Sequence, residues 1–383
     1  MNNGILLVVD GSIGIYRAGL RAAFSIKRTM PEVRLTWASS MPHYRCRLAD
    51  RHIRLPPQSP FVNKISACLE CDHPNTLFLD ADTYLLRPVW EFLERLENFD
   101  FVICKAVTNS YFFNSGVLAF NQRGRALLER THTILQAMNG AELVRGNREQ
   151  KILTELIYLG HCAKLGIRVD FGDGERFNLR PSVLDSMTEA ECERVHVLHA
   201  YDLTRPVAVH FPHHTTRLRE ANKFATTCID ELKTETSDWL SKIQAVIDEN
   251  PDTIESYLAL ASLMELRGDK DRALTVLLAA RRALPTEPGR AMLWAARLND
   301  EMDNAQQALQ CALDAAIETS DLFHPNIQNT KGQSITLAKA LSNSGRVRWP
   351  DANLQTEILE LATDHRCTAD QIKSIRARLT EEG

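Results

Sequence analysis

Apolar residues in the first two-thirds of the chain fall into two alternating patterns. Short apolar runs at Ile5–Val9, Val33–Ala38, Thr76–Leu79, Phe101–Cys104 and Val117–Phe120 predict strands. Between and after them, helical spacing appears over Tyr16–Thr29, Phe61–Cys71, Val89–Leu96, Gly124–Met138 and Glu149–Leu159. Pro88 marks the start of the third helix, since proline is favoured in a first turn. Such alternation predicts an α/β domain around a mainly parallel sheet. Sheets of that kind bind ligands beyond the carboxyl ends of their strands. Asp10 and Asp80 both fall at such ends and are expected to line one crevice. Residues 178–220 are less regular, with strand-like runs at Val195–His199 and Val207–Phe211.

Past residue 220 no strand-like run follows. Glu220–Glu249 reads as one or two polar helices, closed by Asn250-Pro251. Tyr257, Leu260, Ala261, Met264, Gly268, Ala273, Leu277, Ala280 and Pro285 then follow the offsets of the tetratricopeptide consensus. Its small alanines let two antiparallel helices approach. A second, degraded unit covers about 288–320, with Trp294, Ala295, Leu298, Ala308, Ala312 and Ala315 in similar places. One helix pair cannot bury its face alone, so neighbours must stack on it. A generic α-hairpin appendage is the plainer alternative. The expected domains are 1–220 (α/β), 221–250 (connecting helices) and 251–383 (an all-α, TPR-like domain).

Composition adds limits. The 383 residues are 44% hydrophobic and 25% charged, as in an ordinary globular protein. A formal net charge of −4 gives no reason to expect nucleic acid as the main partner. The first 220 residues are mildly basic, which suits an anionic substrate; the remainder is acidic, which suits a solvated helical module. No apolar run approaches the roughly 20 residues of a transmembrane helix. The N-terminus lacks the basic leader and cleavage site of a signal peptide and reads as a first core strand. Nine scattered cysteines do not form a disulfide framework, so a reducing cytoplasm is expected. The lone Cys68-Leu69-Glu70-Cys71 reads as helix-face thiols.

The chemistry concentrates at Thr76–Leu86, where an apolar strand runs into Asp80-Ala81-Asp82. Residues i and i+2 of a strand point the same way, so both carboxylates aim at one place. They repel unless a cation lies between them. Oxygen ligands of this kind suit Mg²⁺ or Mn²⁺, ions that commonly also hold substrate phosphates. The pair therefore points to an enzyme handling a nucleotide diphosphate.

Around it stand Lys64, Phe113-Asn114-Ser115-Gly116-Val117, Glu149-Gln150, Phe177-Asn178 and Val209-His210-Phe211. This order resembles the family-8 glycosyltransferases, retaining glycogenin-like enzymes with the GT-A fold, over roughly residues 1–218. The resemblance implies that Asp80, Asp82 and His210 hold Mn²⁺ or Mg²⁺, with Asp80 also meeting the donor ribose. It implies that Lys64 contacts the donor, that Tyr16 packs on its base, and that Asn114 and Gln150 touch the transferred sugar. Glu149 stands where the family usually has aspartate, and Gly116 would allow close backbone approach. The family's His is followed by a diphosphate-binding lysine, where this chain has Thr216. Arg217, with His213 or His214, is the expected replacement. Each residue also has a plain structural reading: a turn for Asp80 and Asp82, core for Tyr16 and His210, a helix face for Lys64, a turn for Asn114.

The resulting expectation is a GT-A nucleotide-diphospho-sugar transferase domain followed by an all-α TPR-like domain. It would move a sugar, from a UDP-linked donor by preference, to a glycan or protein acceptor, with a protein partner engaged through the helices. The alternative is a degenerate GT-A/TPR scaffold without catalysis. A nucleotidyltransferase fits poorly, because Asp10-Gly11-Ser12-Ile13-Gly14-Ile15-Tyr16 carries no base before Arg17. The sequence sets neither the acceptor, the donor sugar and base, nor the oligomeric state.

Overall fold

A computed structural model of the chain describes residues 3–10, 13–56, 60–106, 112–138, 148–200, 202–249, 254–284, 288–320, 325–347, 349, 352–361 and 369–379. They form two compact units, one reaching Ile243 and the other starting at Gln244.

The first unit is built on seven strands in the order β3-β2-β1-β4-β7-β6-β8. These are β1 (Asn3–Val8), β2 (Arg34–Ser39), β3 (Arg51–Arg54), β4 (Asn75–Asp80), β6 (Phe101–Lys105), β7 (Phe113–Asn121) and β8 (Val169–Gly172). β5 (Thr83–Leu85) and β9 (Val197–His199) make a separate antiparallel pair. β7 alone runs against its sheet, antiparallel to both β4 and β6. Only a short connection separates β6 from β7, and short connections favour antiparallel neighbours. The reversal has a consequence for chemistry. It brings the start of β7 to the sheet end where β4 delivers Asp80, with Leu79 opposite Val117.

Strand interiors are apolar on both faces because helices cover them. Ile5, Leu6, Leu7, Leu77, Leu79, Leu118 and Phe120 are fully buried. The helix Ile13–Thr29 lies close over β1 and β2 at Gly19, where a Cβ would meet Val9 at 2.6 Å. The helix Thr215–Thr234 packs along Ile13–Thr29, with Phe24 and Phe224 centroids 5.7 Å apart. The expected boundary at 220 therefore falls inside an element of the first unit.

One expected strand is a helix. Val207–Phe211 belongs mainly to the helix Thr204–His210. Pro206 fits a first helical turn. Val207 and Phe211 are buried four residues apart, as on one helix face, while Val209 is 61% exposed.

The second unit is all-helical, as expected. Its helices are Ile254–Leu266, Lys270–Ala283, Pro288–Glu301, Ala305–Ser320, Pro325–Asn343, Ala352–Leu361 and Ala369–Arg378. The first five pack on one another in sequence, and the last returns to Ala305–Ser320. Tyr257, Leu260, Ala261, Ala273, Leu277 and Ala280 are buried at these contacts, and Met264 is half-buried. Pro285 lies outside the described residues. Gly268 (φ 81°) and Asp303 (φ 63°) end the first helix of two successive pairs in the left-handed region. No described helix is long and apolar enough to cross a membrane. Eight described cysteines, Cys68 and Cys71 among them, are free and buried.

Asp100 ties β6 to its neighbours. Its buried carboxylate accepts from the Arg168 amide (2.9 Å), Arg168 Nε (3.2 Å) and Asn121 Nδ2 (3.2 Å). Burial by itself would raise its pKa, but the Arg168 and Asn121 hydrogen bonds outweigh it and hold the group at about 2. A depressed folded pKa stabilises fully above the unfolded value, near 4, and the contribution is lost as pH falls through about 2. Asp100→Asn is expected to lower the urea midpoint at pH 7, with the gap from wild type narrowing at pH 3.

Candidate metal centre and active site

β4 leaves the sheet at Asp80, and Thr83 Oγ1 donates to the Asp80 carbonyl (2.7 Å) to close the turn into β5. β5 pairs with β9, setting Thr83 opposite His199. The Ala200 amide donates to the Asp82 carbonyl (2.9 Å), so the chain after His199 stays beside Asp82. Ligand atoms of Asp80, Asp82 and His199 all lie within 4.8 Å of one another. His199 Nε2 is 2.9 Å from Asp82 Oδ1 and 3.6 Å from Asp80 Oδ2. His199 Nδ1 is 2.6 Å from Asn178 Oδ1 and donates to it. A histidine anchored at Nδ1 offers Nε2 as a ligand. Burial alone would raise the Asp82 pKa; His199 first, then Arg180, hold it well below the carboxylate range instead.

Gly116 makes room for this arrangement. A Cβ there would lie 2.3 Å from His199 Cε1 and 2.6 Å from Asp80 Oδ2. The glycine is required by the close approach of these side chains to β7.

A polar wall adjoins the cluster. Lys64, on the helix Pro60–Glu70, donates to Asp80 Oδ1 (3.1 Å) and Ser115 Oγ (3.1 Å) and reaches Glu149 Oε1 (3.4 Å). Burial would lower its pKa, but the Asp80 and Glu149 carboxylates keep it above the usual lysine value. Glu149 and Gln150 open the helix Arg148–Tyr158. Ser115 Oγ donates to Glu149 Oε1 (3.1 Å), and the Ser115 amide donates to Gln150 Oε1 (3.2 Å). Asn114 Oδ1 accepts from the Gly116 amide (2.8 Å). Three buried atoms here have no hydrogen-bond partner among the described residues: Glu149 Oε2, Gln150 Nε2 and Asn178 Nδ2. Each unsatisfied buried polar atom costs about 1–3 kcal/mol unless a ligand completes it. Two carboxylates and an imidazole suit a divalent cation, and the open donors and acceptor suit a polar ligand beside it.

Several residues expected at the site are elsewhere or otherwise engaged. His210 is not in the cluster: its Nε2 lies 3.2 Å from Asp185 Oδ1 on an exposed helix end. His199 stands in its place. Arg217 does not face the carboxylates as a diphosphate clamp. It donates to the carbonyls of Leu85 (2.9 Å) and Leu86 (2.8 Å), to Thr29 Oγ1 (3.1 Å) and to His214 Nδ1 (2.6 Å). Tyr16 is buried at 3% exposure, stacked on Tyr44 at 4.4 Å and donating to the Arg45 carbonyl, so neither ring face is open to a base. Asp10 does lie past the same sheet end as Asp80, since Val8 pairs with Asp80. Its Oδ1 accepts from the Ser40 amide (2.6 Å) and its Oδ2 from Asn63 Nδ2 (2.7 Å). Burial raises its pKa despite these bonds. His199 carried a signal in the sequence: an apolar strand-like run ending in histidine, with no proline just before it. His210 follows Pro206 closely.

No protein-family model matches the chain, and no curated protein matches it. Solved structures similar to it include a glycosyltransferase involved in glycosylation of the major capsid of PBCV-1. That one is 12% identical over 57% of this chain and 98% of its own, at a TM-score of 0.38. The glycosyltransferase GlyE of Streptococcus pneumoniae TIGR4 is 12% identical over 61% of this chain and 63% of its own, at 0.40. The galactosyltransferase LgtC, in complex with donor and acceptor sugar analogues, is 14% identical over 58% and 95%, at 0.37. At such low scores these likenesses add nothing to what the side chains establish.

Gly116→Ala is expected to force His199 and Asp80 apart. Overpacking of this kind costs about 1–3 kcal/mol. The variant should melt several degrees below wild type, and the His199 imidazole resonances, assigned with His199→Gln, should shift.

Proposed function

We propose that this chain is a metal-dependent, retaining glycosyltransferase of GT-A type, acting on a nucleotide-diphosphate sugar. The observation that carries this reading is the convergence of Asp80, Asp82 and His199 beside three orphaned polar atoms. The resemblance of the residue order to family 8 supports it. Asp80, Asp82 and His199 would hold Mn²⁺ or Mg²⁺, which when bound supplies positive charge against the diphosphate leaving group.

The chain's own residues do the rest. Lys64 holds Asp80, Ser115 and Glu149 in one frame. Gln150 Nε2 and Asn178 Nδ2 donate to sugar hydroxyls, and Glu149 Oε2 accepts from one. Asn114, at the mouth of the same strand, lines the sugar side. Thr216 stands six residues past His210; six past His199 is Arg205. Arg205 is exposed and makes no hydrogen bond or ion pair among the described residues, which leaves it available to phosphate. In the reaction the bond from the anomeric carbon to the diphosphate breaks. The acceptor oxygen bonds to that carbon on the same face, and its proton passes to a leaving-group phosphate oxygen. A UDP-sugar is the favoured donor and a glycan or protein the acceptor. The TPR-like helices would serve a protein partner, in the cytoplasm.

A catalytically degenerate scaffold is the competing reading, and the intact Asp–Asp–His cluster argues against it. Calorimetry with UDP and Mn²⁺, and hydrolysis of a panel of UDP-sugars, test the proposal. Asp82→Asn and His199→Ala should each reduce both signals at least tenfold, while His210→Ala stays within twofold of wild type. Silence of the wild-type protein with every nucleotide and sugar nucleotide would sink it in favour of the scaffold.

A further inference from the structure

A diphosphate carries more negative charge than Arg205, the one cation described so far as open, can match. Lys64 is occupied by Asp80, Ser115 and Glu149, and Arg217 by backbone carbonyls. Arg180 was not singled out by the sequence, and its placement is distinctive. Leu179 bridges in parallel to Leu198: its amide donates to the Val197 carbonyl (3.1 Å), and its carbonyl accepts from the His199 amide (2.8 Å). That register sets Arg180 level with His199. Arg180 is extended (φ −92°, ψ 141°) and two residues past Asn178, whose side chain meets the His199 ring. Residues opposite one another in paired extended backbone point to the same face, so Arg180 shares the side of His199. Arg180 thus leaves the backbone on the side of His199, the side of the Asp80–Asp82–His199 cluster.

Arg180 as a residue is half-buried, yet among the described residues its guanidinium makes no hydrogen bond and no ion pair. Its forked N–H donors match a phosphate in a two-point contact. We infer that Arg180 binds the phosphate of a nucleoside diphosphate whose other oxygens face Asp80, Asp82 and His199. The inference rests on the proposed sugar-nucleotide chemistry but not on Arg205 or on the resemblance. A plain electrostatic neighbour of Asp82 would have the same position but no effect specific to phosphate.

Calorimetry on the full chain with Mn²⁺ separates the two, using UDP, UMP and uridine, with GDP and ADP as alternative bases. A charge-assisted hydrogen bond is worth about 1.5–3 kcal/mol, or roughly ten- to a hundredfold in affinity. Arg180→Gln should weaken the diphosphate by that factor, UMP by less than threefold and uridine not at all. Arg180→Lys should fall between and serves as the test variant if the glutamine form does not fold. Mn²⁺ alone should bind Arg180→Gln at least as tightly as wild type. Diphosphate binding within twofold of wild type in both variants, or equal losses for UDP and uridine, would overturn the role of Arg180 alone. A wild-type protein that binds no nucleoside diphosphate would overturn this inference and the transferase reading together.

Discussion

Asp80 and Asp82 put two carboxylates at one point where a buried strand leaves its sheet, and their repulsion must be offset. The surroundings are arranged to do so. Lys64 reaches Asp80 from one side, His199 lies between both carboxylates on the other, and Arg180 acts on Asp82. Two of these groups are fixed in turn: Lys64 by Ser115 and Glu149, His199 by Asn178. Repulsion between like charges in a half-buried setting is stronger than in water. Positions around the pair are therefore tightly constrained, and few substitutions are compatible with them.

Backbone topology makes that network possible. Because β7 runs against β4, its first residues and the end of β4 share one edge of the sheet, and Gly116 sits under Asp80 and His199. The small β5–β9 pair carries His199 across a sequence gap of more than a hundred residues to within 2.9 Å of Asp82. Arg217 secures the same pair from behind by binding the carbonyls of Leu85 and Leu86, with its guanidinium over Tyr84. An arginine expected to meet substrate thus supports the strand that positions the carboxylate–histidine cluster. Its effect on chemistry is indirect, through the placement of β5.

The helical unit follows a simpler logic. Alanines at the helix contacts are fully buried, and two residues with positive φ close the turns of successive pairs. Here the pattern along the chain and the packing coincide, because neighbouring helices contact mainly their sequence neighbours. In the first unit the decisive contacts join distant segments.

That difference accounts for what could be read from the sequence. Strand and helix periodicity, the apolar core of β1 and β4, the carboxylate pair and the joint placement of Lys64, Asn114, Glu149 and Gln150 near it were legible, because each is expressed in local order or in a motif. The identity of the histidine was not. His199 and His210 both lie in short apolar runs, and only Pro206 just before the second hints that it forms a helix, one that buries Val207 and Phe211 on one face. Only pairing with β5 selects His199. Tyr16 and Arg217 were misread for the same reason: an aromatic ring or a guanidinium has the same sequence signature whether it meets a ligand or the protein's own interior. The sequence by itself determined which chemical groups the protein carries and the elements that bear them. Tertiary structure decided which of those groups face one another, because hydrogen-bond partners and steric limits such as the one at Gly116 exist only once distant strands are side by side.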